Sequence, residues 1–160
     1  MSDRPVDLES FYASTYRRLV SVVGVALGDR HEAEEVVQEA FARLLPRWDT
    51  IRRYDDPEAW VRQVAFRLMS NRLRSLRRGR HAVERAGELL EGPASAALSA
   101  DTVHALASLP LAQRQVVVLH HLVGLPVDAV AAELRVAVGT VKSRLSRARA
   151  ALAPLLREEY

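Results

Sequence analysis

The sequence predicts an all-α protein of two small helical domains joined by a flexible linker, with a helix-turn-helix ending the second domain. Three observations favour this fold. Apolar residues recur at helical spacing along most of the chain. No segment shows the sustained alternation or the Asn-Gly turn that is typical of a β-hairpin. A segment rich in glycine, proline and small residues separates the two periodic halves.

The first domain, residues 1–78, is expected to hold three helices, over residues 8–27, 31–48 and about 57–78. Pro46 should end or kink the second helix near its last turn, because proline lacks an N–H and its ring clashes with the preceding turn. Asp56 is expected to cap the third helix, with Pro57 in its first turn. The domain is therefore predicted to be a three-helix unit.

The linker is assigned to residues 79–100 and the second domain to residues 101–160. Four short helical patterns are expected in this domain, over about residues 101–108, 111–122, 126–134 and 138–152. Only a short turn separates the last two, and this spacing is typical of a helix-turn-helix.

Composition excludes several classes of protein. There is no cysteine, so neither disulfides nor thiolate metal sites are expected. The polar N-terminus lacks the apolar core of a signal peptide, and no apolar run approaches a membrane span. The segment HEAEE lacks the second histidine of a zinc-protease motif. A cytoplasmic protein without membrane contact, metal, cofactor or enzymatic activity is predicted.

Charge is distributed unevenly along the chain, although the net charge is only +3. Acidic residues dominate residues 28–45, whereas arginines dominate residues 57–80. Residues 135–150 carry only basic charges. Such segregation indicates partners of different sign for different parts of the chain.

The last predicted helix is amphipathic in an unusual way. On a helical wheel, one face holds the apolar residues Val138, Val141, Leu145, Ala148 and Leu152, which should pack on the preceding helices. The opposite face suits the major groove of DNA, because small residues allow close approach and arginine can fork onto guanine; it holds Gly139, Thr140, Ser143, Arg144 and Arg147. Lys142 and Arg149 flank the packed face and are better placed for phosphates. The alternative is a solvated basic helix end.

Residues 106–152, LASLPLAQRQVVVLHHLVGLPVDAVAAELRVAVGTVKSRLSRARAAL, resemble region 4 of the extracytoplasmic-function (ECF) group of sigma-70-family initiation factors. The run GTVKSRLSRARAAL is the most specific part of this match. In the first domain, AEEVVQEAFARLLPRW resembles the polymerase-binding helix of region 2. The segment PEAWVRQVAFRLMSNRLRSLRR resembles the promoter-reading helix of the same region. Both modules occur in the order expected for the family.

The resemblance implies a factor that binds core RNA polymerase and directs promoter-specific initiation without any bond chemistry of its own. The implied partners are the clamp of the largest polymerase subunit, the flap for the C-terminal domain, promoter DNA both double-stranded and melted, and an anti-sigma factor. Two alternatives are a helix-turn-helix regulator that acts without polymerase and a helical adaptor that binds acidic protein. Duplex binding that weakens steeply with salt would argue against the adaptor.

The resemblance also assigns residues to partners. The distal hexamer, the minus-thirty-five element, is assigned to Gly139, Thr140, Lys142, Ser143, Arg144, Arg147 and Arg149. The proximal hexamer, the minus-ten element, is assigned to the polar stripe Gln63, Arg67, Ser70, Asn71, Arg74 and Arg78. Capture of a flipped base is assigned to the preceding loop, residues 49–56, with Arg52, Arg53 and Tyr54. The polymerase clamp is assigned to Glu35, Gln38 and Glu39.

For four side chains of the first domain, the sequence also predicts a structural role. Tyr54 is equally well interpreted as an ordinary surface aromatic. Trp60 is expected to pack in the core. Arg62 and Arg72 fall towards the apolar side of their helix, so ion pairs or helix junctions are expected for them.

Three positions depart from the family pattern. Pro126 and Ala137 stand where a capping residue usually opens each helix of the helix-turn-helix, and Arg135 stands where glycine usually lies in the turn. An N-cap replaced by alanine costs about 1 kcal/mol. A non-glycine residue in the left-handed conformation costs about as much. The stability of this module is therefore expected to be marginal.

Overall fold

The computed structural model describes residues 6–76 and 98–156, apart from the side chains of residues 73–76 and 156. The first range contains α1 (Leu8–Leu27), α2 (Arg30–Leu44), a 3-10 turn (Leu45–Arg47), α3 (Trp48–Ile51) and α4 (Pro57–Leu76). The second contains α5 (Ala100–Ser108), α6 (Leu111–Val117), a π-helical turn (Val118–Leu122), α7 (Val127–Leu134) and α8 (Val138–Leu156). The all-helical prediction is confirmed for the described residues.

Local sequence signals set the helix ends. The N–H of Ala59 donates to Asp56 Oδ1 at 3.0 Å, which confirms the predicted cap of α4. Helix α2 ends at Leu44, and Pro46 lies in the 3-10 turn that follows. Gly28 ends α1 in the left-handed conformation, at φ 79°.

Helices α1, α2 and α4 pack together and form the first module. Buried apolar side chains lie between them, including Leu19, Val37, Leu44 and Met69, which are each at most 2% exposed. Burial of such side chains contributes roughly 1.5–3 kcal/mol each. The long α4 is thereby held rigidly with its polar stripe outward.

Helices α5 to α8 form the second module, and α7, its turn and α8 make the predicted helix-turn-helix. Val141, Leu145 and Ala148 are buried, as expected from the wheel. Val138 is 41% exposed, so its predicted place in the packed face is wrong. Because it is the first residue of α8, it lies beyond the edge of the supporting helices.

The two modules pack against each other, which the sequence does not predict. Helix α1 contacts α5 and α6, and α4 contacts α7. Their buried apolar residues form one continuous cluster that contains both Val23 and Val116. Across this junction, Arg62 of α4 forms a buried ion pair with Glu133 of α7. The expectation that Arg62 would lie in an ion pair is thereby confirmed.

Candidate nucleic-acid and polymerase interfaces

The basic face of α8 is open to solvent. Gly139, Lys142, Ser143, Arg147 and Arg149 are exposed, and the half-buried residues of this face are Thr140 and Arg144. Of the ion pairs found among the described residues, none involves the four cationic side chains of this face. The helix thus presents uncompensated positive charge around a strip of small residues, a surface suited to a groove of DNA.

The turn before α8 is strained as the sequence predicts. Arg135 adopts φ 55° and ψ 46°, and it is the one non-glycine residue at positive φ in the described ranges. The backbone carbonyl of Ala137 accepts from the N–H of Thr140 and of Val141, at 3.0 and 3.2 Å. The methyl side chain of Ala137 cannot accept a hydrogen bond, so it does not cap α8. Pro126 likewise provides no side-chain cap for α7.

Ala137→Ser is expected to raise the free energy of unfolding of the whole chain by about 1 kcal/mol, because its hydroxyl can accept a free N–H of the first turn. Chemical denaturation measures the change. Ala150→Ser is the matched control, since Ala150 is exposed inside the same helix and serine there should slightly destabilise the chain. Equal effects of the two substitutions would show that packing alone fixes the start of α8.

The predicted stripe on α4 is partly exposed. Arg67 and Asn71 are exposed, and Gln63 and Ser70 are half-buried. The Ser70 hydroxyl donates to the carbonyl of Phe66 at 2.9 Å. Arg74 lies within α4 but its side chain is outside the described part, and Arg78 lies outside the described residues.

A groove of about 440 Å³ lies beside this stripe. Its lining includes two predicted residues, Gln63 and Arg67, and three that the sequence analysis did not assign to DNA: Arg43, Arg47 and Trp60. Trp60 is half-buried and packs against the core as expected, but it also forms a wall of the groove. Arg43 lies in the last turn of α2 and Arg47 lies four residues later in the following 3-10 turn, a spacing that in a continuous helix places two residues on one side. This spacing is the signal that could have found them.

The loop before α4 lies outside the lining of this groove. Tyr54 is 50% exposed and Arg53 is also exposed. Arg52 is half-buried, with its guanidinium 3.6 Å from the carboxylate of Asp49. The structure therefore brings Gln63, Arg67 and Trp60 together and leaves the three loop residues apart from them.

The predicted clamp residues share the exposed side of α2, and each has an intramolecular partner. Glu35 accepts from Arg72 at 2.7 Å, and this hydrogen bond lowers the pKa of its carboxyl group. Glu39 pairs with Arg43 at 3.0 Å. Gln38 Nε2 donates to the hydroxyl of Tyr16 at 3.3 Å. The expected ion pairing of Arg72 is thus confirmed.

An apolar groove of about 530 Å³ borders these residues. Tyr12 is 41% and Leu45 is 59% exposed there, and Phe41 and Gln38 also line it. The ring of Tyr12 meets that of Phe41 edge to face, with centroids 4.9 Å apart. Exposed apolar surface beside ordered polar groups is typical of a protein-binding site.

In the described part of the chain, no helix is both long and apolar enough to cross a membrane. A search of the same residues finds no group of three or more histidine, aspartate or glutamate side chains that could hold a metal ion.

Residues 11–79 match the model of the family described as Sigma-70 region 2, and residues 100–152 match that of Sigma-70, region 4. The RNA polymerase sigma-E factor of Streptomyces coelicolor is 33% identical over 129 residues, covering 78% of this chain and 71% of that protein. The ECF RNA polymerase sigma factor EcfG of Rhodopseudomonas palustris is 33% identical over 141 residues, covering 81% and 74%. The ECF sigma factor SigE of Mycolicibacterium smegmatis is 33% identical over 135 residues, or 76% of this chain, which spans about half, 51%, of that protein.

Two solved structures have similar folds. The sigma factor RpoE of Bartonella quintana, solved in complex with the anti-sigma factor NepR, has a TM-score of 0.71 at 24% identity and covers 96% of this chain and 99% of its own. CnrH, solved in complex with the cytosolic domain of CnrY, has a TM-score of 0.59 at 27% identity, with 96% and 92% covered. With both regions matched in order and relatives covered over most of their length, this chain belongs to the ECF group of the sigma-70 family of RNA polymerase sigma factors.

Proposed function

We propose that this chain binds core RNA polymerase and directs promoter-specific transcription initiation in the cytoplasm, without catalysing bond chemistry itself. The observation that carries the proposal is the presence of three separate surfaces on one chain. An acidic and apolar face lies on α2, a basic groove lies between α2 and α4, and a basic face lies on α8. A protein partner suits the first and nucleic acid suits the other two.

The face of α8 is assigned to the minus-thirty-five element. Arg147 is exposed on the outer side and is suited to base edges, since a guanidinium can donate two hydrogen bonds to one guanine, and the half-buried Arg144 is assigned to the same element. Lys142 and Arg149 lie nearer the packed side, where a phosphate backbone would pass. Gly139 and Thr140 are small enough for the backbone of α8 to approach the bases.

The groove beside α4 is assigned to the melted minus-ten element. Trp60 offers an aromatic surface on which an unstacked base can lie, and Arg47 and Arg67 provide positive charge beside it, while Arg43, which also lines the groove, is paired with Glu39. Stacking surfaces combined with arginines are the usual means of holding a single strand. Gln63 provides an amide at the same place for contacts to a base edge. Arg52, Arg53 and Tyr54 would meet the strand outside the groove.

The clamp of the largest polymerase subunit is assigned to Glu35, Gln38 and Glu39, with the groove at Tyr12 and Leu45 as its apolar part. Negative charge makes this face unsuited to DNA and suited to basic side chains of a protein. The second module would meet the polymerase flap. Because the similar sigma factor RpoE was solved in complex with the anti-sigma factor NepR, we extend that class of partner to this chain.

Run-off transcription with core polymerase and a genomic promoter library tests this function. We expect transcripts from a defined subset of promoters only when the chain is present. Binding to the same duplexes should fall steeply with salt, because phosphate contacts release counterions. Salt-independent binding would favour a protein-binding adaptor, and unchanged transcript sets with and without the chain would contradict the proposal.

Two substitutions separate base reading from phosphate binding on α8. Arg147→Ala should reduce discrimination at one position of the minus-thirty-five element by about 1–3 kcal/mol. Lys142→Ala should weaken binding equally on all sequences and lower the salt slope by about one unit. Competition binding with single-base variants of the element, repeated at several salt concentrations, measures both effects. Equal and sequence-independent losses would contradict the assignment of the two sides.

A further inference from the structure

The π-helical turn between α6 and α7 carries two adjacent histidines, His120 and His121. His120 is half-buried, and its Nδ1 lies 2.7 Å from the backbone carbonyl oxygen of Leu125. Because a carbonyl oxygen only accepts, Nδ1 of the neutral ring carries the proton and donates. His121 is exposed, and its ring meets that of His120 edge to face, with centroids 4.7 Å apart. The backbone contact therefore fixes one ring, and the other ring packs against it.

His121 lies in cationic surroundings. Burial, His120 and Arg149 of α8 each lower the pKa of its imidazole. An unperturbed histidine titrates at about pH 6.5, so this shift leaves His121 neutral at neutral pH. Arg149 is the exposed residue beside the packed face of α8 that is assigned to phosphates. Next to a proposed phosphate contact, the second module thus holds a side chain that can become a further cation.

No ion pair among the described residues includes His121. Helices α1, α6 and α7 pack against the π-helical turn, and their charged and titratable side chains are Glu9, Tyr12, Tyr16, Arg17, Arg18, Arg114, Asp128 and Glu133. None of these carboxylates acts on the pKa of His121, and Glu133 is already paired with Arg62. A protonated His121 therefore lacks a counterion within the described part of the chain. Protonation becomes favourable when an anion from outside the chain approaches.

We propose that His121, with His120 and Arg149 beside it, is an additional phosphate-binding site for duplex DNA, which takes up one proton from solvent when the strand binds. This inference rests on the proposed function, which assigns Lys142 and Arg149 to the phosphate backbone. Those two residues lie on one side of α8 and roughly 10 Å apart along its axis. A strand that passes Lys142 and Arg149 continues to His121. There the protonated ring donates a charge-assisted hydrogen bond to a phosphate oxygen.

The affinity of the chain for duplex DNA should rise as the pH falls. The negative phosphate raises the pKa of His121 in the complex, whereas burial and the neighbouring groups lower it in the free chain. Between these two values, binding of one proton with the DNA increases the affinity by up to about tenfold for each unit of pH. Below the lower value the gain ends, because the free chain is already protonated. The gain should be equal on all sequences, since phosphate contacts carry no sequence information.

Fluorescence anisotropy of the whole chain with two labelled duplexes, one a transcribed promoter and one a scrambled sequence, tests the site from about pH 5 to pH 8 at constant ionic strength. His121→Gln should remove most of the pH dependence on both duplexes. His121→Lys should bind both duplexes tightly over the whole range, because lysine stays charged and needs no proton uptake. His104→Gln is the matched control, since His104 is exposed on α5 and its loss should leave the pH dependence unchanged.

Proton NMR of the imidazole C–H groups measures the same effect without any substitution. When either duplex is added to the unsubstituted chain, the pKa of His121 should rise by about one pH unit, because a phosphate now faces the ring. The pKa of His104 should stay where it is. This titration decides the proposal even if a variant does not fold.

Three outcomes would each overturn the site. They are a pKa of His121 that does not respond to DNA, a His121→Gln chain that keeps the full pH dependence, and a His121→Lys chain that binds no more tightly than His121→Gln. A chain that binds duplex without these effects contradicts this site alone. A chain that directs no promoter-specific transcription contradicts the proposed function instead.

Discussion

Gln38→Ala together with Glu39→Arg is expected to abolish binding of the chain to core RNA polymerase. The double change removes an amide and reverses a charge on the exposed side of α2, next to the apolar groove at Tyr12. Substitution of a hot-spot residue at the centre of an interface costs about 2 kcal/mol or more, and a reversed charge adds repulsion from basic groups of the partner. Affinity should therefore fall by at least about 100-fold. Co-purification and titration with labelled polymerase measure this loss.

Asp128→Arg is the matched control for charge. Asp128 is exposed on α7, far in sequence from α2, and its substitution changes the net charge by the same amount as Glu39→Arg. Circular dichroism should show unchanged helix content in both variants, because all three side chains are exposed. If the double variant keeps normal affinity for polymerase, α2 is not the clamp-binding surface.

Arg47→Glu together with Arg67→Glu is expected to prevent promoter melting while leaving binding to the minus-thirty-five duplex intact. Both arginines line the groove beside Trp60, and both are exposed, so the fold should tolerate the change. Reversal of two charges repels the strand that the groove is proposed to hold, and roughly 100-fold weaker binding of a single-stranded minus-ten oligonucleotide should result. Permanganate reactivity of unpaired thymines in the polymerase complex measures melting.

Arg17→Glu is the comparison for this experiment. Arg17 is exposed on α1 and lies outside the groove, so its reversal reports the general effect of added negative charge. If Arg17→Glu, which reverses one charge, lost about half as much melting as the groove variant, which reverses two, the effect would be due to net charge. Normal melting by the groove variant would show that the strand binds elsewhere, with the loop at Tyr54 as the remaining place.

Most helices were predictable because their signals are local. Asp56 caps α4, Pro46 ends α2, and apolar spacing identifies the buried face of α8. The left-handed turn at Arg135 was also predictable, because the family pattern places glycine there. Such features depend on neighbours within one or two turns of helix, which a single sequence contains.

The basic groove and the docking of the modules could not be predicted in the same way. Arg47 and Trp60 line one groove only because α2 packs against α4. Helical spacing shows which residues share a face of one helix, but not which helices pack together. Arg62 and Glu133 are separated by 71 positions, so neither charge indicates its partner. The wheel gave the right expectation for Arg62, an ion pair, because a charge on an apolar side must be compensated.

The π-helical turn at Val118–Leu122 sets the direction in which α7 and α8 leave α6. The N–H of Val123 donates to the carbonyl of Val118 at 3.0 Å, five residues back, so this turn holds one residue more than an α-helical turn. One residue corresponds to about 100° of rotation in a helix. If the turn were regular, α7 and α8 would leave α6 at a different azimuth, and Glu133 would no longer face Arg62. A single-residue deletion here would therefore rotate the whole helix-turn-helix about the axis of α6.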